Sequence, residues 1–155
     1  MTPVDLPKLF FSSGQAVFKG TPDLVHNWSH GAGITTLTIP SSSPSGFEIR
    51  CEAEKEQITL HWGNWHTPFE LEASADQLVQ DLFGLVRDML STDMRLRELV
   101  AGSTPYRGFL ESFDGAAWTI EQEMGLAFWN FFAKRTERIF TNTALPPRMS
   151  VEQPR

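Results

Sequence analysis

The sequence predicts an α+β fold, a mostly antiparallel, curved β-sheet of about six to eight strands with one long amphipathic helix over residues 74–91 packed on it. Three observations carry this. Apolar residues recur with period two through most of the chain, one stretch alone switches clearly to helical spacing, and the glycine-containing pairs Gly63-Asn64 and Asp114-Gly115 sit where antiparallel neighbours need two-residue turns.

Along the chain, GITTLTI at 33–39 is rich in β-branched residues and reads as a strand. In FEIRCE at 47–52, Phe47, Ile49 and Cys51 alternate with Glu48, Arg50 and Glu52, the pattern of a half-buried strand. QITLHW at 57–62 repeats it, with Ile58, Leu60 and Trp62 on one face. From Ser74 to Ser91, Leu78, Leu82, Leu85 and Met89 recur at helical spacing, joined by Val79, Phe83, Val86 and Leu90. Ser74 followed by Gln77 forms a capping box, and Asp76 suits the positive end of the helix dipole. Strands follow at 94–100, 106–113 and 116–123. A two-residue turn at Asp114-Gly115 would pair Phe109 with Ile120 and Glu111 with Trp118, placing Phe109, Phe113, Trp118 and Ile120 on one face. The stretch 126–140 reads as a further hairpin, with a short helix over 126–138 as the alternative. PSSSPSG at 40–46 and AGSTP at 101–105 are loop punctuation. The expected organisation is one globular domain over 1–142 and an extended or disordered tail over 143–155.

The stretch LHWGNWHTPFEL at 60–71 has two histidines flanking two tryptophans that flank Gly63-Asn64. Glycine at the first central position suits a type II′ turn, which opposes Trp62 to Trp65 and His61 to His66. Side-chain alternation then places the indoles on one face and the imidazoles on the other.

Composition narrows the function classes. The chain has 155 residues, 41% apolar and 21% charged, which is globular rather than disordered. A net charge of −6 would repel a phosphate backbone, so nucleic acid is not an expected partner. Arg95, Arg97 and Arg107 are interspersed with Glu98, Glu111 and Glu121, and Lys134, Arg135 and Arg138 with Glu137, which predicts a salt-bridged strand face. The single cysteine, Cys51, excludes an intramolecular disulfide and reads as a core residue. The N-terminal MTPVDLPKLFFSSGQ lacks the basic and apolar regions of an export signal, and no run approaches the roughly 18 apolar residues of a membrane span. The expectation is a soluble, cytoplasmic protein without a membrane partner.

No phosphate-cradling glycine loop, G-x-S-x-G elbow or Cys-x-x-Cys pair is present, and no cofactor is implied. The candidate chemistry is therefore restricted. His61 and His66 could clamp a divalent metal or titrate together, with His26 and His30 as further ligands, their spacing suiting one helix face. Glu121 and Glu123 could act as paired carboxylates, although a neighbouring arginine is the better expectation. The 12 Phe and 5 Trp exceed the usual aromatic share, and LAFWNFF at 126–132 puts large rings on both faces of a strand. Trp62, Trp65, Trp129 and Phe131 are the binding candidates, and His61 and His66 the metal candidates. Together these features predict a non-enzymatic protein-binding domain of the adaptor, inhibitor or immunity type, with a protein partner or a second copy of itself as ligand. The alternative is a small-molecule or metal-binding domain with a histidine and aromatic lining.

Overall fold

A computed structural model describes residues 3–126 and 132–148. The α+β, antiparallel class holds, but the described residues form two helices and two separate sheets. The elements run α1 (Leu6–Phe18), β1 (Asn27–Gly31), β2 (Ile34–Ile39), β3 (Ile49–Ala53), β4 (Gln57–Trp62), β5 (Trp65–Glu70), α2 (Ala75–Met89), β6 (Met94–Ala101), β7 (Thr104–Phe113), β8 (Trp118–Gly125) and β9 (Arg135–Phe140). By internal contacts the chain forms two compact units, residues 1–40 with 48–87, and residues 41–47 with 88–155.

The first unit is a five-stranded meander in the order β1-β2-β3-β4-β5, all neighbours antiparallel. Its register follows from local turn chemistry. Ala32 and Gly33 both have positive φ, as a type I′ turn requires, and join β1 to β2. Gly63 has φ 65° while Asn64 does not enter the positive region, in keeping with a type II′ turn. One face carries Leu37, Ile39, Ile49, Cys51, Ala53, Ile58, Leu60 and Trp62, all buried. Helix α1 lies against β2 and β3 on that face. Helix α1 is not expected from the sequence, because Ser12, Ser13 and Gly14 interrupt it with poor helix formers. Asp5 caps it, accepting from the Lys8 backbone N–H at 3.2 Å. Phe10 stacks on Phe83 of α2 at 5.3 Å between ring centroids and meets Trp28 edge-on at 5.3 Å. Gly14 permits this approach, since a Cβ there would stand 2.5 Å from Trp28 Cη2 and 2.8 Å from Phe83 Cζ.

Helix α2 begins and ends slightly inside the expected 74–91. Ser74 Oγ accepts from the Gln77 N–H at 3.2 Å, but the Gln77 side chain donates to Asp81 at 2.8 Å, so half of the expected capping box forms.

The second unit holds a four-stranded antiparallel sheet in the order β8-β7-β6-β9. Buried Asn142 fastens its irregular segments. It accepts from the Phe47 N–H at 3.0 Å and donates to the carbonyls of Phe47 and Met89 at 3.2 and 3.1 Å. The first residues of the expected tail are also held. Leu145 N–H donates to Leu90 O at 3.0 Å, and Arg148 Nε reaches Asp88 Oδ1 at 2.7 Å.

The second unit departs from the sequence expectation at two places. The β7-β8 turn is displaced by one residue from Asp114-Gly115, because Asp114 N–H donates to Ala117 O at 3.2 Å and the Asp114 carboxylate accepts from the N–H groups of Ala116 and Ala117, both at 2.8 Å. Trp118 therefore pairs with Phe113 and Ile120 with Glu111, while a bulge shifts the register beyond them and pairs Phe109 with Glu123. The shared face of Phe109, Phe113, Trp118 and Ile120 survives, with different partners. Secondly, residues 135–140 are a strand that joins β6, which excludes a helix running to 138 and places β9 at the far edge from β8. Residues 127–131 lie outside the described residues.

Candidate functional site

The imidazole pair forms as its spacing predicts. His61 opposes His66, with ring centroids 5.7 Å apart, on the face of the first sheet away from α1. Cross-strand register extends this into a polar row of Asn27, Thr38, Arg50, His61 and His66, one residue from each strand. His61 is already engaged at both nitrogens, Nε2 lying 2.9 Å from Glu52 Oε1 and Nδ1 accepting from Arg50 at 3.3 Å. Burial lowers its pKa, and the charge of Arg50 adds to the effect against the opposing pull of Glu52. His30 occupies the opposite face, where Nδ1 meets Thr35 Oγ1 at 3.1 Å and the ring meets Phe11. It belongs to β1, so the i, i+4 spacing of His26 and His30 does not put them on one helix face, and His26 Nδ1 meets Leu24 O at 2.8 Å. The histidines do not converge. Among the described residues no three His, Cys, Asp or Glu side chains gather to hold a metal ion.

Trp62 and Trp65 oppose each other as expected, but they are interior, 0% and 4% exposed. Trp62 Nε1 donates to Thr67 Oγ1 at 3.2 Å, so its one polar group is satisfied within the fold. These indoles pack the first unit instead of forming a contact surface. Cys51 is likewise buried, which pushes its thiol up to about 12 and makes it a poor nucleophile. Trp129 and Phe131 lie outside the described residues.

The second sheet presents a site whose only mark in the sequence is its alternating charges. On one face, Arg95 and Arg97 from β6 converge on Glu111 of β7. Arg95 Nε reaches Glu111 Oε1 at 2.8 Å, and Arg97 reaches both carboxylate oxygens at 3.2 Å. Burial would raise the Glu111 pKa, but the hydrogen bonds from Arg97 and Arg95 outweigh it and hold the carboxyl below its ordinary range. Arg97 also meets Glu137 at 3.6 Å, and Arg107 meets Glu123 at 3.3 Å. The expected salt-bridged face is thus present, and the paired-carboxylate arrangement is not, because the bulge gives Glu123 to Arg107 while Glu121 accepts from Ser112.

What the charge pattern did not reveal is how aromatics join it. The Arg95 guanidinium sits 4.0 Å from the centre of the Trp118 ring and Arg97 4.2 Å from that of Phe109. Phe113 and Trp118 lie 5.0 Å apart. Around these held side chains, Phe113, Ile120 and Ile139 stay 37, 47 and 47% exposed. Register places all of them on the arginine face, Ile139 beside Arg97 and Ile120 beside Glu111.

A third feature is a cleft of about 330 Å³ beside the start of α1, lined by Lys8, Phe11, His30, Ile34 and Thr35 among others. No helix among the described residues is long and apolar enough to cross a membrane. No protein-family model, curated protein or solved structure matches this chain.

Proposed function

We propose that the chain is a non-enzymatic protein-binding domain of the adaptor, inhibitor or immunity type, and that its contact surface is the arginine and aromatic face of the second sheet. The supporting observation is that Phe113, Ile120 and Ile139 stay exposed beside Arg95 and Arg97, whose guanidinium groups are held by Glu111 and stacked on rings. Aromatics and arginine are the residue types enriched where proteins bind tightly, and pre-ordered arginines lose little entropy on association. Trp129 and Phe131, between β8 and β9 in sequence, are candidates for the same contact.

The test is recovery of partners on tagged full-length protein from its native cells, by cross-linking and mass spectrometry, with Ile120→Asp combined with Ile139→Asp as comparison. Both side chains are about half exposed, so the double variant keeps the wild-type melting temperature and loses the specific partner. A partner retained equally by the variant would sink this reading.

The cleft favours a second reading, a small-molecule site with a histidine and aromatic lining, now built on Phe11 and His30. A ligand that binds only the native state raises the melting temperature by mass action. For the metal form of this reading at His61 and His66, an unchanged melting temperature across Zn, Mn, Ni and Fe titrations counts against it.

A further inference from the structure

The two edges of the second sheet carry opposite charge. The β8 edge, WTIEQEMG at 118–125, holds Glu121 and Glu123 and no cation. At the other edge, Lys134 precedes β9, RTERIF at 135–140, which adds Arg135 and Arg138 against a single Glu137. Among the described residues both strands are terminal in the sheet, and both are exposed along most of their length. Neither contains proline, so neither lacks a ladder donor.

From this we infer that the protein associates with further copies of itself head to tail, β8 of one copy pairing with β9 of the next. Direction allows it. Each neighbour in the order β8-β7-β6-β9 is antiparallel, so β8 and β9 run oppositely and an adjoining copy continues the antiparallel ladder without inversion. Charge selects it. In a two-fold β8 pairing centred on the strand, Glu121 faces Glu121 or Glu123 of the copy. A two-fold β9 pairing centred on 137 or 138 sets Glu137 against Glu137 or Arg138 against Arg138. Like charges directly opposite are destabilising, whereas β8 against β9 sets a strand with two carboxylates and no cation, one of them bridged to Arg107, against an edge where Lys134, Arg135 and Arg138 outnumber Glu137. Charged edge residues normally guard a sheet against pairing, and that guard fails where the two edges carry opposite signs.

The contact is heterologous and therefore does not close at two copies. A right-handed strand twist of roughly 20 to 25° per neighbour turns each successive four-stranded sheet by about 80 to 100°, so the product is a helical row and not a flat ribbon. The pairing runs through the backbone of the sheet edges, and the proposed contact face shares with those edge strands only Ile120 and Ile139 while Phe113, Arg95 and Arg97 lie on the inner strands.

The test is sedimentation velocity of the full chain over a concentration series at low and high salt. At low salt the average mass rises with concentration and passes the dimer, and high salt returns it to the monomer because the pairing charges are exposed. Two charge-reversed proteins sharpen the result: Glu121→Lys with Glu123→Lys, and Arg135→Glu with Arg138→Glu. Each alone remains monomeric, and an equimolar mixture assembles again, an outcome that misfolded variants could not give. Wild-type protein that stays monomeric throughout, stops at a dimer, or assembles equally well with either edge reversed overturns the inference. Phe113→Asp changes the arginine face on β7 and leaves both edge strands intact, so a variant that loses the heterologous partner and still assembles as wild type separates the two proposals.

Discussion

The two sheets of this protein use their surfaces in opposite ways. In the first, apolar and polar side chains are segregated by face: one side is packed with aliphatics and indoles under α1, and the other carries the row from Asn27 to His66. Its edge strand β5 contains Pro68, which removes a ladder donor and protects the edge from pairing. In the second sheet, rings, arginines and carboxylates share one face, and the edges are proline-free and oppositely charged. The first sheet spends its aromatic residues on burial; the second leaves part of its aromatic and aliphatic surface in solvent. Phe113, Ile120 and Ile139, exposed beside ordered arginines, have no counterpart on the packed face of the first sheet.

The sharpest break of the comparison is one substitution made in both places. Trp62→Ala empties a fully buried site and should destabilise by about 3 to 5 kcal/mol. Trp118→Ala removes a part-exposed ring and a cation-π contact, and should cost about 1 kcal/mol or less. Urea denaturation of the two variants measures the contrast; equal losses would show that the second face is as tightly packed as the first.

Next in size, Glu111→Ala leaves Arg95 and Arg97 without the carboxylate both depend on, a loss of about 1 to 3 kcal/mol by thermal or urea unfolding. A comparable loss, about 1 to 3 kcal/mol, is expected for Gly14→Ala in the first unit, where the new methyl group would press on Trp28 and Phe83 and outweigh the gain in helix propensity. Stability equal to or above wild type would mean that the part-exposed Trp28 moves aside freely.

Smaller effects come from acid, and their signs are fixed by the shifts. The Glu111 carboxyl is held below its ordinary value of 4.5, so its stabilisation is present above that pH and is lost as pH falls below it through the folded value. His61 is held below 6.5, so the fold favours the neutral ring; this contribution is present above 6.5 and declines as pH falls below it. Melting temperature measured against pH should fall in both windows, with His61→Gln flattening the upper one and Glu111→Gln the lower. A His61→Gln profile identical to wild type would remove the imidazole from the pH response. Least of all, the Ile120→Asp, Ile139→Asp protein should match wild-type stability within about 0.5 kcal/mol, since both side chains lie at the surface.

Local patterns carried much of this fold. Period-two alternation marked β2, β3 and β4, helical spacing marked α2, and Gly63 fixed the register that opposes Trp62 to Trp65 and His61 to His66. Those features are legible because their causes lie within a few residues of one another: the pleat, the helical turn and a positive φ at glycine. The charge alternation around Arg95 and Glu111 also announced a paired face, because cross-strand partners follow from a hairpin.

Tertiary structure alone decided the rest. Helix α1 is held by contacts with Trp28 and Phe83 across long sequence separations, against the weak propensity of its Ser-Ser-Gly centre. The bulge that divides Glu121 from Glu123 belongs to the pairing of two strands and has no signature in either one. The placement of β9 beside β6, on the far edge from β8, determines which charges share a sheet face and which oppose each other at its edges. The sequence by itself determined which residues alternate and where the chain turns; which strands became neighbours depended on burial and backbone pairing between distant segments, and that choice created the surfaces on which function is proposed.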